Sequence, residues 1–325
     1  MNFIVTGAAG FIGYHTAKKI LESGNRVIGI DNINDFYDIK LKNERIKSLE
    51  QFEKFAIIKI DLKNKKDVLE LQNSLPNISS IIHLAAFAGV RTSITDPWSY
   101  QDNNVNATLN LLELCKIANI KNFSLASTSS VYGDSKSIPT KESDTSSFPL
   151  SPYAASKISA ELLAFTYNYH FDINVAILRF FTVYGPFGRP DMVIFKFIKS
   201  ILDNKPITIY GDGNQTRDFT FVTDVANALI KSINQKGFEV YNVGGGRAIS
   251  VNNLVKLIEK YLDKNAIINN IERDPSDIEH SLADITKIKN KLNWDPKYNI
   301  EKGVIETGKW FLENQEFINS IKIQE

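Results

Sequence analysis

A tyrosine and a lysine four residues apart, Tyr153 and Lys157, have the spacing in this chain that most directly permits proton transfer. Residues i and i+4 share one face of a helix, so the ammonium would lie beside the phenol. An ordinary tyrosine titrates near pH ~10, and using it as a base near neutral pH requires about 4 kcal/mol of phenolate stabilisation. The lysine could supply part of that energy. The pair alone is a weak signal, because this spacing occurs by chance in many helices.

A glycine-rich turn stands between a strand predicted at 2–6 and a helix predicted at 14–22. Glycines permit a tight turn and a close approach of a pyrophosphate, which would face the N-terminus of the helix. The G-x-x-G-x-x-G spacing departs from the usual G-x-G-x-x-G fingerprint, and glycines also serve ordinary turns. The position between the first strand and the first helix favours a dinucleotide site. The predicted contacts in this turn are Gly7, Gly10, Phe11, Ile12 and Gly13.

Asp31 ends the second predicted strand, 26–31, and lies 18 residues after Gly13. A carboxylate at this position accepts hydrogen bonds from the adenine ribose hydroxyls and repels a 2′-phosphate. The next residues, starting with Asn32, include no arginine directly after the carboxylate. The sequence therefore predicts NAD rather than NADP. A positively charged nicotinamide ring would further favour the phenolate of Tyr153.

Residues after the third and fourth predicted strands, 55–60 and 80–84, extend this cofactor site. Asp61 and Leu62 are candidate adenine contacts, although Asp61 could equally cap the following helix. The segment after the fourth strand is small and apolar, which lets a cofactor lie against the backbone. Its predicted contacts are Leu84, Ala85 and Ala86.

The composition of the 325 residues is that of an ordinary globular protein, with 43% hydrophobic and 23% charged residues. A net charge of +1 gives no basic field for nucleic acid. The four histidines are scattered and Cys115 is the single cysteine, so the sequence predicts no metal site and no internal disulfide. No apolar run approaches the ~20 residues of a membrane span, and no signal-peptide pattern is present. We therefore expect a cytoplasmic protein with no membrane partner.

Continuous apolar strands alternate with helices, among them 97–118 and 152–170, over the first 180 residues. This alternation predicts an α/β fold with a doubly wound parallel Rossmann sheet. Beyond that point the elements become shorter and mixed, as in a smaller C-terminal region that covers the mouth of the sheet. We predict an NAD-binding domain at 1–180 and a substrate-binding region at 181–325. Whether a strand near 239–243 rejoins the main sheet is left open.

Together these motifs resemble those of the extended short-chain dehydrogenases/reductases, and specifically of nucleotide-sugar epimerases. The resemblance covers nearly the whole chain. Its marks are the segments 6–13, 83–86, 127–133, 151–157 and 217–219. Finer features resemble the UDP-glucuronate 4-epimerase branch, although enzymes acting on UDP-N-acetylhexosamines share several of them. These features are the segments 31–38, 88–91, 179–186 and 188–192.

The resemblance implies a redox-neutral reaction at the 4-position of the sugar. Tyr153 would take the proton of the 4-hydroxyl while the hydride passes from C4 to NAD⁺, and Thr128 would hydrogen-bond the 4-oxygen. Lys157 would lower the pKa of Tyr153 and bind the nicotinamide ribose. The 4-keto sugar would then rotate and present its other face to the cofactor. The hydride would return to C4, and Tyr153 would return the proton to the 4-oxygen. NAD should therefore stay bound.

The resemblance also implies a set of binding residues. Arg189 would bind the C5 carboxylate together with Thr182 and Ser129, although a plain surface ion pair is the alternative for Arg189. The further implied substrate contacts are Arg91, Arg217, Arg273 and Asp277, with Tyr153 and Thr128. The segment 272–277 lacks the glycine usual in the family, and Arg91 could equally be structural. The remaining implied cofactor contacts are Asn32, Asn104, Ser127, Tyr153 and Lys157, of which Asn104 could be structural too.

Three other activities compete with epimerisation. A 4,6-dehydratase would carry an Asp-Glu pair directly after Thr128, where this chain has two serines, Ser129 and Ser130. A UDP-glucuronate decarboxylase would lose CO2 from the β-keto acid, and we expect Thr182 and Arg189 to suppress that loss. A non-catalytic NAD sensor on the same fold could dispense with the proton-transfer residues.

Family resemblance further implies a homodimer formed through the helices at 97–118 and 152–170. An apolar stripe on these helices would also suit an ordinary core.

The product is expected to serve polysaccharide biosynthesis.

Overall fold

The computed structural model describes residues 1–135, 137–145, 148–273 and 278–322. Twelve strands lie in these ranges, and the first six alternate with helices along the chain. The strands are β1 Asn2–Thr6, β2 Arg26–Ile30, β3 Phe55–Ile58, β4 Ser80–His83, β5 Asn122–Thr128, β6 Asn174–Phe180, β7 Thr182–Tyr184, β8 Pro206–Tyr210, β9 Thr216–Phe221, β10 Phe238–Val243, β11 Ala248–Ser250 and β12 Ile267–Ile271.

The described helices fall mainly between the strands of the first sheet and in the C-terminal half. They are α1 Phe11–Glu22, α2 Ile39–Leu49, α3 Lys65–Glu70, α4 Val90–Thr95, α5 Pro97–Tyr100, α6 Ala107–Ile117, α7 Pro152–Phe171, α8 Val193–Leu202, α9 Val222–Ser232, α10 Val251–Leu262, α11 Thr286–Leu292, α12 Ile300–Glu313 and α13 Gln315–Asn319. Short 3₁₀ segments are Leu71–Asn73, Ser129–Tyr132 and Glu142–Asp144. None of the described helices combines the length and apolar character that a bilayer-spanning segment requires.

Seven strands form one parallel sheet in the order β10-β6-β5-β4-β1-β2-β3. Alternate side chains of β1 enter different hydrophobic clusters, with Phe3 and Val5 on one side and Ile4 on the other. A strand covered on both faces must be apolar at every position, which explains the unbroken apolar runs in the sequence. The predicted doubly wound parallel Rossmann sheet is confirmed.

Elements of the C-terminal half form two small sheets, β11-β9-β7 and β12-β8. Aromatic and aliphatic side chains of α8, α10 and α12, such as Phe195, Leu254 and Phe311, build a separate hydrophobic cluster there. β10 nevertheless pairs with β6 in the main sheet, so the chain returns to the first half after leaving it. The division at residue 180 stays a prediction.

Helix α7 carries the Tyr-x-x-x-Lys pair and has clear sequence signals at both ends. Ser151 caps its N-terminus by accepting a hydrogen bond from the backbone of Ala154, and Pro152 occupies the first turn. Asp172 ends it in the left-handed conformation. The cap fixes where the first turn starts, and this sets the direction of the Tyr153 side chain.

The segment predicted as one helix at 97–118 consists of α5, a π-helical turn at Gln101–Asn106, and α6. A π turn inserts one extra residue and shifts the register of the downstream helix, and such turns are frequent at functional sites. This turn holds Asn104, which is almost fully buried. The uniform period read from the sequence missed the insertion.

A buried ion pair joins α7 to the main sheet one helical turn after Lys157. Arg179 of β6 donates from Nε and Nη2 to the two carboxylate oxygens of Glu161, at 3.0 and 2.6 Å. Ser127 donates a third hydrogen bond to Glu161 at 2.5 Å, and Tyr132 accepts one from Arg179. Both ionic side chains are less than one-tenth exposed.

Removing one partner of this pair should destabilise the whole domain. We expect Glu161→Gln to lower the free energy of unfolding by about 3 kcal/mol or more, because Arg179 would keep a buried charge without its carboxylate. Urea denaturation followed by circular dichroism measures this change. The matched control is Glu70→Gln, which breaks the exposed Lys66–Glu70 pair and should cost less than ~1 kcal/mol. Equal effects of the two variants would contradict the prediction.

Candidate active site

A cavity opens at the carboxyl ends of the parallel strands, where β1 lies between β4 and β2 and the strand order reverses. Ligands of doubly wound sheets bind at this kind of switch point. Most of the predicted site residues line it. They are Gly7, Gly10, Phe11, Ile12, Gly13, Asp31, Asn32, Asp61, Leu62, Leu84, Ala85, Ala86, Ser127, Tyr153, Lys157 and Arg189.

The glycine turn is packed too closely to admit side chains. A Cβ on Gly13 would lie 1.9 Å from the carbonyl oxygen of Gly7, and one on Gly7 would lie 2.8 Å from the backbone of Ala85. Gly7 also has φ +67°, which L side chains rarely adopt. The N-cap of α1 is Gly10, which offers no side-chain cap, so the first N–H groups of the helix remain for a phosphate.

Asp31 is held in place by the backbone around it. Its Oδ2 accepts from Ala9 N at 3.0 Å and its Oδ1 accepts from Ile33 N at 2.8 Å. Each carboxylate oxygen can accept a further hydrogen bond, and Asp31 lines the cavity. The carboxylate therefore fits the predicted contact with a ribose diol.

Asp61 lines the cavity and also organises the chain after β3. It accepts from Lys63 N at 3.1 Å and from the side chain of Asn32 at 3.2 Å. The N-cap position of α3 is Asn64, so Asp61 is not the helix cap that the alternative interpretation required. Its predicted contact with adenine stays a prediction.

A neutral histidine fixes the loop after β4. Thr6 Oγ1 accepts two backbone N–H groups of this loop, so its own proton points to Nδ1 of His83 at 2.7 Å. Nε2 of His83 must then carry the ring proton and donate to Thr108, whose hydroxyl donates to the carbonyl of Asn104. Burial lowers the pKa of His83 to about 3, with a smaller effect of the Lys157 charge, so the ring stays neutral.

Asn104 lies behind the cavity wall rather than in it. Its Oδ1 accepts from Phe87 N at 2.8 Å, and its Nδ2 donates to Phe87 O and to Ser156 Oγ, at 3.0 and 2.9 Å. These bonds tie the loop after β4 to the catalytic helix. The geometry favours the structural alternative for Asn104, and contact with the cofactor stays a prediction.

Tyr153 and Lys157 both line the cavity from the first two turns of α7. Burial raises the pKa of Tyr153 above its ordinary value, while the Thr128 hydroxyl and the Arg189 guanidinium act in the opposite direction. The ring of Tyr100 packs edge-on against Tyr153 with 5.9 Å between the ring centres. Without a further positive charge, the phenol keeps its proton at neutral pH.

Lys157 is buried, and its ammonium donates to the carbonyl of Ala126 at 3.0 Å. Burial lowers the pKa of Lys157 to about 8, and the carboxylate of Glu161 one turn later opposes this shift. The ion pair of Glu161 with Arg179 therefore bears on the charge of Lys157 as well as on the fold.

Thr128 is the last residue of β5 and caps the 3₁₀ segment that comes next, accepting from Ser130 N at 3.1 Å. This cap presents the hydroxyl at the carboxyl end of the sheet, on the side of Tyr153. Ser129 lines a second cavity between the loop after β5 and the chain at 278–281, together with Tyr132, Phe181 and His280. In the sequence, Thr128 lies between Ser127, which lines the first cavity, and Ser129, which lines the second.

The guanidinium of Arg189 reaches the first cavity but is already paired. Its Nε and Nη2 donate to the two oxygens of Asp191 at 3.0 and 2.6 Å, and it lies over the ring of Phe36 at 5.5 Å. The fork that a sugar carboxylate would use is therefore engaged by a carboxylate of the chain itself. The ion pair that the sequence offered as an alternative role for Arg189 is therefore present, with Asp191 as the partner. It lies at the cavity and not on a remote part of the surface.

The other predicted substrate residues lie outside the first cavity. Arg91 stacks on the ring of Tyr210 at 4.1 Å, and Thr182 begins β7. Arg217 and Arg273 both approach Glu279, through its carbonyl at 3.3 Å and its carboxylate at 3.7 Å respectively. Asp277 lies outside the described residues. The structure thus brings Arg217 and Arg273 together at Glu279, while Arg91 lies on a different element.

Sequence reasoning missed a lysine in the polar stretch at 32–54. Lys42 of α2 is almost fully buried, lines the cavity near Asp31, donates to Asn34 Oδ1 at 2.6 Å and lies over the ring of Tyr37. Burial lowers its pKa to about 8, with the charge of Asp31 opposing this. The available signal was the helical spacing, since Lys42 lies three residues before Arg45 and seven before Leu49 on the buried face of α2, but the polar composition indicated solvent. Other missed lining residues are Phe36, Phe87, Ala88, Asn103 and Phe180.

Substituting the third glycine should abolish dinucleotide binding. In Gly13→Ala the added methyl has no room against the carbonyl of Gly7, so the turn must open and the phosphate-binding N–H groups must move. We expect at least a ~100-fold weaker affinity for NAD, measured by calorimetry. Gly24→Ala is the control, since its Cβ meets nothing within 4 Å although its positive φ costs stability. Retained NAD affinity in Gly13→Ala would refute the placement of the phosphates.

Comparisons with known proteins agree with this geometry. The family model described as GDP-mannose 4,6 dehydratase matches residues 4–307. A UDP-glucuronate 4-epimerase from Thermodesulfobacterium geofontis is 45% identical over 322 residues, covering 99% of both chains. The crystal structure of a UDP-glucuronic acid 4-epimerase from Bacillus cereus, in complex with UDP-glucuronic acid and NAD, superposes with a TM-score of 0.90 at 38% identity, covering 96% of this chain and 99% of that one.

A third relative acts on a different sugar. The UDP-N-acetylglucosamine 4-epimerase from Methanobrevibacter ruminantium M1, in complex with UDP-N-acetylmuramic acid, superposes with a TM-score of 0.88 at 36% identity, covering 96% of this chain and 98% of that one. Family model, sequence relatives and structures agree over nearly the full length. The chain therefore belongs to the extended short-chain dehydrogenases/reductases matched by that family model, on their branch of nucleotide-sugar epimerases.

Proposed function

We propose that the protein catalyses the NAD-dependent 4-epimerisation of a UDP-sugar, converting UDP-glucuronate into UDP-galacturonate. The observation that carries the proposal is the meeting of Tyr153, Lys157 and Ser127 with the glycine turn and Asp31 in one cavity. A dinucleotide site and a proton-transfer pair in the same cavity are the two elements that a reversible oxidation of a hydroxyl needs.

The residues present fit NAD. The uncapped N-terminus of α1 suits the pyrophosphate, Asp31 suits the adenine ribose, and Lys157 suits the nicotinamide ribose. Bound in this cavity, NAD⁺ would supply the hydride acceptor for C4 and, once reduced, the hydride donor for the opposite face of the 4-keto sugar, and the positive charge of the oxidised nicotinamide ring would favour the phenolate of Tyr153.

The chain's own residues handle the proton at the 4-oxygen. Tyr153 takes it and gives it back, and Thr128 donates a hydrogen bond that supports the phenolate or the 4-oxygen in turn. Lys157 lines the same cavity as Tyr153, and its ammonium keeps its positive charge up to about pH 8. Ser129 and Ser130 follow Thr128, so no acid pair is available for dehydration.

Arg189 supports an acidic sugar, since a guanidinium that lines the cavity matches a C5 carboxylate. Its pairing with Asp191 is the one observation that favours the second candidate, a UDP-N-acetylhexosamine, because the guanidinium charge is already compensated. The proposal keeps UDP-glucuronate first. Decarboxylation is the alternative outcome if the carboxylate is not held.

Product analysis by NMR tests this function. The purified protein, supplied with NAD, is incubated with UDP-glucuronate, UDP-N-acetylglucosamine and UDP-glucose in parallel, and we expect UDP-galacturonate to accumulate fastest. Tyr153→Phe should lower turnover by about 10²–10⁴-fold while NAD binding is retained, because only the proton transfer is lost. Tyr169→Phe on the same helix is exposed and serves as the control.

Each other outcome of this assay points to a rival. Epimerisation of UDP-N-acetylglucosamine alone would move the substrate to the second candidate, and a pentose product would indicate decarboxylation. A chain that binds NAD without turning over any of the three sugars would refute the enzymatic proposal and support a sensor.

The proposal includes a cytoplasmic homodimer. Buried Cys115 suits a reducing compartment, and α7 together with α5 leaves large apolar side chains in solvent. Leu162 is 61% exposed and Trp98 is 79% exposed. An exposed apolar helix face of this kind is typical of a subunit interface.

Light scattering checks the dimer. We expect twice the 36.6 kDa of the chain for the protein, and a shift toward the monomer in Leu162→Arg, because the new charge would be buried between subunits. Ile305→Arg, on α12 at 39% exposure, is the control and should leave the mass unchanged. A monomeric native protein at micromolar concentration would refute the dimer.

A further inference from the structure

One arginine outside the predicted site is completely buried. Arg45 lies on α2 and exposes 0% of its surface. Within the described parts of the chain, no carboxylate pairs with it. Its acceptors are three backbone carbonyls and a phenol, while its Nε has no acceptor. Burying an arginine without a carboxylate is unfavourable, so its contacts call for an explanation.

The contacts of Arg45 join two loops that are far apart in sequence. Nη1 donates to the carbonyl of Ala9 in the glycine turn at 2.9 Å. Nη2 donates to the carbonyl of Phe187 at 2.6 Å and lies 3.4 Å from that of Gly188. Ala9 also donates from its backbone N–H to the carboxylate of Asp31, so a continuous series of hydrogen bonds connects Asp31 with the turn after β7.

The turn at 185–189 is strained and therefore depends on its surroundings. Phe187 has φ +55°, in the left-handed region that a non-glycine residue adopts at a cost, and Gly185 has φ +147°. The Phe187 ring packs against Tyr14 and Trp310, with ring centres 5.0 and 4.8 Å away. Arg45 supplies the hydrogen bond that holds the strained carbonyl.

A second side chain of the dinucleotide half supports the same turn. His15 of α1 donates from Nε2 to the carbonyl of Pro186 at 2.8 Å. Burial lowers the pKa of His15 to about 4, with the nearby charge of Arg45 adding to this, so the imidazole is neutral and keeps this single donor role. Side chains of α1 and α2 thus donate hydrogen bonds to two successive backbone carbonyls of the turn at 185–189, those of Pro186 and Phe187.

Arg189 comes directly after the residues whose carbonyls accept these hydrogen bonds. It leaves the turn one residue after Gly188 and carries its guanidinium into the cavity beside Phe36 and Asp191. We propose that Arg45 is a positioning residue that fixes the turn at 185–189 to the glycine turn and thereby sets where Arg189 meets the sugar. For the sugar itself this inference rests on the proposed function.

Hydrogen exchange tests the loop geometry without any substrate. In Arg45→Met the amides at 185–189 should exchange at least ~10-fold faster, because the turn loses its hydrogen bonds from the guanidinium. The amides of β5 and β6 should keep their protection. Arg26→Met, at the exposed start of β2, is the control and should change neither region. Unchanged exchange at 185–189, or a uniform rise over the whole sheet, would overturn the inference in favour of a purely structural arginine.

Binding to the NAD-loaded protein tests the consequence for Arg189. Calorimetry should show a roughly tenfold loss of affinity for UDP-glucuronate in Arg45→Met and a smaller loss for UDP-glucose, which has no carboxylate for Arg189. Arg45→Lys keeps the charge and one donor, should recover part of the affinity, and replaces the methionine variant if that one does not fold. Equal losses for the two sugars would refute the role toward Arg189.

The two proposals fail in different ways. If the native protein epimerises none of the UDP-sugars, the proposed function fails, while hydrogen exchange at 185–189 still decides whether Arg45 holds the turn. If the native protein epimerises UDP-glucuronate and Arg45→Met leaves exchange and affinity unchanged, only the inference about Arg45 fails.

Discussion

The contact of Gly13 with the carbonyl of Gly7 is the constraint on which the rest of the site depends. With no side chain between them, α1 starts directly at the carboxyl end of β1. That placement puts Ala9 N against Asp31 and leaves the helix N-terminus open to the cavity. Residues contributed by β2, β3, β4 and β5 can then meet around one ligand, because parallel strands end at the same edge.

The features that could be predicted from the sequence are local in nature. Tyr153 and Lys157 follow from the helical period, and Asp31 follows from the end of an apolar run, so the fold class and most of the cavity lining could be predicted. Arg45 and Lys42 could not, because charged side chains in a polar segment are ordinarily solvated. The burial of Arg45 depends on a loop more than 140 residues later in the chain, which no local pattern reports.

Electrostatics in the cavity oppose the charged form of both catalytic side chains. Burial raises the pKa of Tyr153 and lowers that of Lys157, so each tends toward its neutral state. Thr128, Arg189 and Glu161 act against this tendency without overcoming it. At neutral pH the phenol of Tyr153 therefore keeps its proton while Lys157 stays charged, and proton abstraction depends on a further positive charge beside the phenol.

The return of β10 to the edge of the main sheet has a consequence for biosynthesis. β6 remains an open edge until residues 238–243 have left the ribosome, and the polar contacts of Asn242 with Tyr132 and Thr140 can form only then. An exposed parallel edge strand can pair with a neighbouring chain. We therefore expect the nascent protein to be prone to aggregation until β10 has been synthesised, and a chaperone that shields β6 would contribute most during that time.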